Sequence, residues 1–228
     1  MARGVFITAT DTGVGKTVVA VALLRALVAS EQRAAGMKPV SAGIEAGGSV
    51  NADVAAMVQA GNVDVPLADR NPYAFVPAIA PHLAAAQAGV GIELDVIEAA
   101  YHRIAARSDV VVVEGAGGVR VPLDARYDML DIALRLRLPV LLVVGMRLGC
   151  LNHALLSAAA TDARGLQLSG WVANCIDPDM RALEANIADL ARRLSAPLVA
   201  QVAFGAQPFQ SESVLARLGL DLPLRVPC

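Results

Sequence analysis

Ala9-Thr10-Asp11-Thr12-Gly13-Val14-Gly15-Lys16-Thr17 lies between an apolar run, Val5-Phe6-Ile7, and a helix-like run, Val18-Val19-Ala20-Val21-Ala22-Leu23-Leu24. A strand, a glycine-containing loop, Gly-Lys-Thr and a helix, in that order, make the setting of a phosphate-binding loop. Loop N–H groups and the helix start face the phosphates, where the partial positive charge of the helix N-terminus favours anions. The ammonium of Lys16 adds a point charge, and the hydroxyl of Thr17 can ligate Mg2+. Gly13, Val14, Gly15, Lys16 and Thr17 are therefore candidate nucleotide-binding residues. One position is irregular. The usual spacing has a glycine five residues before Gly15, where Thr10 stands, and the related form with glycine six before meets Ala9. A plain strand-to-helix turn with chance glycines competes with this reading, but the intact Gly-Val-Gly-Lys-Thr favours mononucleotide binding.

The length of 228 residues suits one domain, taken here as 1–228. With 56% apolar residues and only 4% aromatics, the core has to be built from Ala, Val and Leu, as in an α/β protein whose strands are buried on both faces. A net charge of −2 makes no electrostatic case for nucleic acid or an anionic membrane as partner. Cys150, Cys175 and Cys228 share no close spacing, which argues against a zinc site or a disulfide framework and suggests a reducing cytoplasm. The apolar run 138–146 is bounded by Arg137 and Arg147 and is too short to span a membrane. A cleavable leader is not expected, because the loop begins within ten residues of Met1.

Lysine usage is more informative. The chain has 17 arginines and two lysines, Lys16 and Lys38. Where a generic solvated cation suffices, this sequence uses arginine, so a retained lysine marks a place that needs a compact ammonium on a thin stem. Lys38 is thus a candidate functional residue, with chance retention as the alternative.

Apolar runs alternate with helical stretches, the pattern of βαβ units and a parallel sheet. Strands are expected at 5–8, 35–40, 110–114, 140–144, 170–173 and 198–202, and helices at 16–29, 52–59, 94–106, 129–136, 152–163, 180–194 and 213–218. Asp95, Asp128 and Asp179 lie near expected helix starts. Segment 62–81, with Pro66, Pro72, Pro77 and Pro81, reads as surface loop or an added short strand. No repeat, linker or low-complexity segment divides the chain.

Right-handed crossovers bring the loop-bearing strand ends to one edge, where open α/β sheets bind ligands. Val110-Val111-Val112-Val113 ends there in Glu114-Gly115-Ala116-Gly117-Gly118, an acid placed to help hold Mg2+. Lys38 ends another strand, with Pro39 blocking further ladder pairing. Asp53 opens a helix and is equally readable as a first-turn acid. Asn152 is expected to cap a helix. Asn174, at a strand end, has an amide that can read a purine edge, although an isolated Asn there is more often a turn residue. His82 and His102 carry no spacing signal.

Taken with Met37-Lys38-Pro39-Val40, Asn71-Pro72-Tyr73, Ala80-Pro81-His82, Val113-Glu114-Gly115-Ala116-Gly117-Gly118, Leu148-Gly149-Cys150-Leu151-Asn152-His153 and Gly170-Trp171-Val172-Ala173-Asn174, the loop resembles the dethiobiotin synthetase family over residues 5 to about 175. The resemblance implies a homodimeric phosphate-loop NTPase fold, with a mostly parallel seven-stranded sheet and helices on both faces. The implied enzyme is an ATP-dependent cyclo-ligase that converts 7,8-diaminononanoate, CO2 and ATP into dethiobiotin, ADP and phosphate, with Mg2+ required. It further implies that Lys16 and Lys38 contact phosphate and carbamate oxygens, and that Thr17, Asp53 and Glu114 hold the metal. Thr12 would line the site between nucleotide and substrate, and Asn174 would recognise adenine. Gly149, Cys150, Leu151 and Asn152 would bind the substrate's carboxylate tail across the dimer interface.

The chain departs from the family pattern at Ala9, where glycine is common, and at Ser41, a candidate substrate-contacting hydroxyl in a shifted register. It also lacks a proline around Gln201-Val202-Ala203-Phe204-Gly205, where Phe204 is a candidate to pack near the base. Three rivals remain. A partitioning-type switch ATPase shares the loop but needs a lysine at position 11, which is Asp11. An amidotransferase synthetase half would need a further glutamine-hydrolysing domain, for which no length is expected. A binding-only descendant would not need Asp53 and Glu114.

Overall fold

The computed structural model describes residues 2–44, 48, 50–205 and 212–220. Cys228 lies outside them. The strands are β1 (Arg3–Ala9), β2 (Ala34–Met37), β3 (Val40–Ala42), β4 (Tyr73–Phe75), β5 (Val110–Glu114), β6 (Val140–Met146), β7 (Leu168–Cys175) and β8 (Leu198–Val202). The helices are α1 (Lys16–Ala29), α2 (Ala52–Ala60), α3 (Leu67–Arg70), α4 (Pro81–Gln87), α5 (Leu94–Ala105), α6 (Met129–Leu136), α7 (Cys150–Asp162), α8 (Leu183–Arg193) and α9 (Glu212–Arg217).

Six strands form one parallel sheet in the order β2-β5-β1-β6-β7-β8, and β3 and β4 form a separate parallel pair. The expected seven-stranded sheet is thus corrected to six strands among the described residues, plus the pair. The strand expected at 35–40 is divided at 38–39. Pairing of β2 with β5 stops at Met37↔Val113, and the N–H of Lys38 donates to Arg70 O (2.8 Å) instead of to a strand neighbour. Pro39 has no N–H to offer, so the chain leaves the main sheet and re-pairs as β3.

Strand alternation divides the core in two. Val110 and Val112 of β5 pack with Val5, Ile7 and the inner faces of α1, α2 and α9. Val111 and Val113 face the other way, with Phe6, Trp171 and the inner faces of α5, α6, α7 and α8. Helices therefore cover both faces, and all four valines are fully buried. Burying such a side chain is worth about 1.5–3 kcal/mol, which makes a four-valine run a central strand. Asp128 caps α6 in a reciprocal box with Asp131, and Asp95 sits in the first turn of α5, as expected. Asp179 precedes a helix that starts only at Leu183. Asn152 is also corrected: Gly149 is the N-cap of α7, and Asn152 lies inside its first turn.

Candidate active site

The C-terminal ends of β1, β2 and β5 meet around a cavity of about 690 Å3 lined by Thr12, Gly13, Gly15, Lys16, Thr17, Lys38, Asp53 and Glu114, among others. Eight of the residues singled out in the sequence are thus brought together. The left-handed turns of the phosphate loop fall at Gly13 (φ 73°) and Gly15 (φ 92°). Ala9 ends β1 fully buried and without a positive φ, so the missing glycine costs no strain. Gly15 is doubly constrained, because a Cβ there would also stand 2.1 Å from Asn174 Nδ2.

The two lysines differ in their surroundings. Lys16 is buried and its Nζ donates to Asp11 O (3.1 Å). Burial lowers its pKa to about 8, against the pull of the Glu114 charge. Lys38 is buried too, but its Nζ lies 2.5 Å from Asp53 Oδ2 and 2.6 Å from Glu114 Oε1. Burial opposes its charge, yet the carboxylates outweigh it and the pKa is raised. For Asp53, burial is likewise overcome, and Lys38 lowers its pKa. Glu114, at 0% exposure, is raised by burial against the opposing pull of Lys38.

Glu114 Oε1 also accepts from Thr17 Oγ1 (2.9 Å), while Oε2 is buried without a protein partner among the described residues. A hydroxyl and two carboxylates, one of which has an uncommitted buried oxygen, make a hard, oxygen-only donor set, which fits Mg2+ better than a softer metal. Among the described residues no group of three or more His, Cys, Asp or Glu side chains is placed to hold a metal ion.

Other expected residues fall elsewhere. Ser41 is fully buried, and its hydroxyl donates to Asn71 Oδ1 (2.8 Å), so the side chain is committed to the protein interior and does not line the cavity. Val14 packs beneath the loop, where its carbonyl accepts from Asn174 Nδ2 (2.7 Å). Gly149, Cys150, Leu151 and Asn152 do not line the cavity. Cys150 is buried, whereas Gly149 and Asn152 are exposed beside Leu148, at 97% exposure. Phe204 is exposed as well.

Sequence reasoning missed the opposite wall. Ala78, Ile79, Ala80 and Pro81 line it, and with them the proline-rich segment becomes α3, β4 and the start of α4. The motifs around Asn71 and Pro81 signalled that segment without giving it a role. Arg147 was also missed; its Nη2 lies 2.6 Å from Asp11 Oδ2, tying the β6–α7 loop to the phosphate loop.

A family model described as an AAA domain matches residues 3–207. The ATP-dependent dethiobiotin synthetase of Nitrosospira multiformis is 47% identical over 225 residues, covering 97% of this chain and 99% of the relative. That of Aromatoleum aromaticum is 50% identical over 212 residues, 91% and 94% of the two chains. Among solved structures, a chain of the MinC–MinD cell division complex of Aquifex aeolicus superposes with a TM-score of 0.62 at 14% identity, covering 98% of this chain and 99% of that one. Pyrococcus horikoshii MinD, complexed with Mg-ADP, gives 0.60 at 13% identity, covering 95% and 86%. At such identities the likeness shows the phosphate-loop NTPase fold alone.

Proposed function

The chain belongs to the ATP-dependent dethiobiotin synthetase family, and from that premise we propose how its residues carry the reaction. As a member it is a cyclo-ligase, making C–N bonds in an ATP-dependent reaction. In the reading we favour, one amine of 7,8-diaminononanoate, as its neutral base, captures CO2 as a carbamate. A carbamate oxygen attacks the γ-phosphorus of ATP, which gives a mixed carbamic–phosphoric anhydride and releases ADP. The second amine then attacks the carbamoyl carbon, closes the ureido ring and expels phosphate, giving dethiobiotin.

Carbamate and triphosphate are both anions, so their approach requires concentrated positive charge. The observation that carries the reading is that the chain's two lysines, both buried, open onto one cavity with the phosphate loop. Lys16, the loop N–H groups and the start of α1 would hold the phosphates, and a bound phosphate would favour the charged form of Lys16. Lys38, kept charged by Asp53 and Glu114, would bridge carbamate and γ-phosphate oxygens. Thr12, at the cavity mouth, would separate nucleotide from diamine. Thr17, Asp53 and Glu114 would hold Mg2+, whose charge, when bound, offsets that of the phosphates. Asn174 would present its amide oxygen to the exocyclic amine of adenine.

The Gly149, Cys150, Leu151 and Asn152 loop, which lies off its own cavity, would bind the substrate carboxylate for the other subunit of a homodimer. The exposed Leu148 and Leu156 beside it support that arrangement. We place the enzyme in the cytoplasm as one domain over 1–228. No helix among the described residues is long and apolar enough to cross a membrane.

The test is phosphate release from ATP with bicarbonate and Mg2+, with and without diaminononanoate. Release that depends on the diamine is expected. Release indifferent to it would favour a switch ATPase.

A further inference from the structure

Lys38 stands at a break. Its side chain carries the second cation of the site, yet its own N–H and carbonyl turn to segment 70–71 and not to a strand of the main sheet. Pairing of β2 ends one residue before it, and β3 begins two residues after it. The backbone at this position is held from segment 70–71 instead. The N–H of Lys38 donates to Arg70 O (2.8 Å), and its carbonyl accepts from Asn71 Nδ2 (2.7 Å). The same amide nitrogen donates to Tyr73 O (3.1 Å), and the amide oxygen accepts from Ser41 Oγ (2.8 Å). Asn71 is therefore bonded to residues on both sides of the break and to β4.

The support beneath it is equally committed. Arg70 is buried, and among the described residues its guanidinium donates only to main-chain carbonyls, those of Gly36 (3.1 Å), Val63 (2.5 Å) and Val65 (3.4 Å). An arginine spent entirely on carbonyls fixes a chain path and leaves no charge partner for a ligand. Arg70 seats the segment against β2, and Asn71 transfers that seat to Lys38. Neither residue lines the cavity.

We propose that Asn71 is the positioning residue for Lys38: its side-chain amide, oriented by Ser41, fixes the 38–39 peptide so that the lysine stem enters the cavity between Asp53 and Glu114. This explains why Ser41 is near the site without facing it, and it gives the Asn71-Pro72-Tyr73 motif a purpose. The proposal rests on the assignment of Lys38 to the reaction.

A double-mutant cycle on the full chain tests it, with Asn71→Ala, Lys38→Gln and the two combined, reading diamine-dependent turnover and the ATP dissociation constant. Asn71→Ala is expected to lower kcat by at least about fivefold with ATP affinity changed less than about twofold. On the Lys38→Gln background the same change is expected to have almost no effect, because nothing remains for it to aim. An equal loss on both backgrounds overturns the proposal and makes Asn71 a general structural support. Full turnover by Lys38→Gln alone overturns the assignment of Lys38, and the proposal with it. Should Asn71→Ala fail to fold, Ser41→Ala removes only the donor that orients the amide. A drop of about twofold that disappears on the Lys38→Gln background then supports the positioning role, and a drop that persists there, or no drop on either background, overturns it.

Discussion

The phosphate loop and the Lys38 corner deliver a lysine to the same cavity by opposite means. Lys16 belongs to a continuous stretch, and its ammonium bonds to a carbonyl five residues back. Lys38 is aimed by side chains 15, 33 and 76 residues away in sequence. Burial pulls Lys16 down to about 8, while two carboxylates raise Lys38. One cation is held by a carbonyl; the other is paired with two carboxylates and fixed in direction. In the proposed reaction the loop would supply affinity for phosphates, and the corner a charge placed for chemistry.

The contrast breaks most readily at Gly15. Gly15→Ala places a methyl group 2.1 Å from Asn174 Nδ2 at a φ of 92°. With strain of about 1–3 kcal/mol for the backbone and a clash besides, ATP binding measured by calorimetry is expected to weaken about 100-fold. Binding within about tenfold of normal would show that the loop tolerates a different path. On the other side, Lys38→Gln is expected to leave ATP binding measurable while turnover falls by at least about tenfold, since a charge at the reacting oxygens is lost. If affinity fell and turnover did not, the two lysines would have their roles reversed.

Asn174 sharpens the comparison further. Its amide nitrogen supports the loop through Val14 O (2.7 Å). Asn174→Ala should therefore weaken binding of inorganic tripolyphosphate, which has no base, by roughly three- to tenfold, as expected for one lost hydrogen bond. Unchanged tripolyphosphate affinity would confine Asn174 to the nucleobase. The smallest effect belongs to Arg147→Ala. Its pair with Asp11 is half-exposed, so a change in ATP affinity below about fivefold is expected, shrinking further at high salt.

These two regions also differ in how much of them the sequence discloses. The loop is readable because its glycines, lysine and helix follow one another; α1, α6, β5 and β8 span the residues expected of them for the same local reasons. Segment 62–81 is not. A one-turn helix, a three-residue strand and a proline-started helix have too few residues for a periodic pattern, and β4 exists only because β3 lies beside it. Arg70 reads as one more surface arginine until the carbonyls around it are known. The family resemblance makes Ser41 a candidate substrate contact in a shifted register, but alternation and the break at Pro39 turn it inward. Likewise Asp53 reads as a first-turn acid, which it is, and its contact with Lys38 across the cavity is not legible in the spacing.

The strand that carries the phosphate loop is bordered by β5 and β6, with Phe6 opposite Val113 on one side and Val140 on the other. Both neighbours are more than a hundred positions downstream. A ribosome therefore releases the nucleotide-binding motif early, but the strand that presents it has no sheet to join until about half of the polypeptide has been made. Closing such distant contacts is slow relative to forming local helices. Nucleotide affinity in this protein is accordingly a late acquisition during biogenesis, although its sequence is among the first to be made.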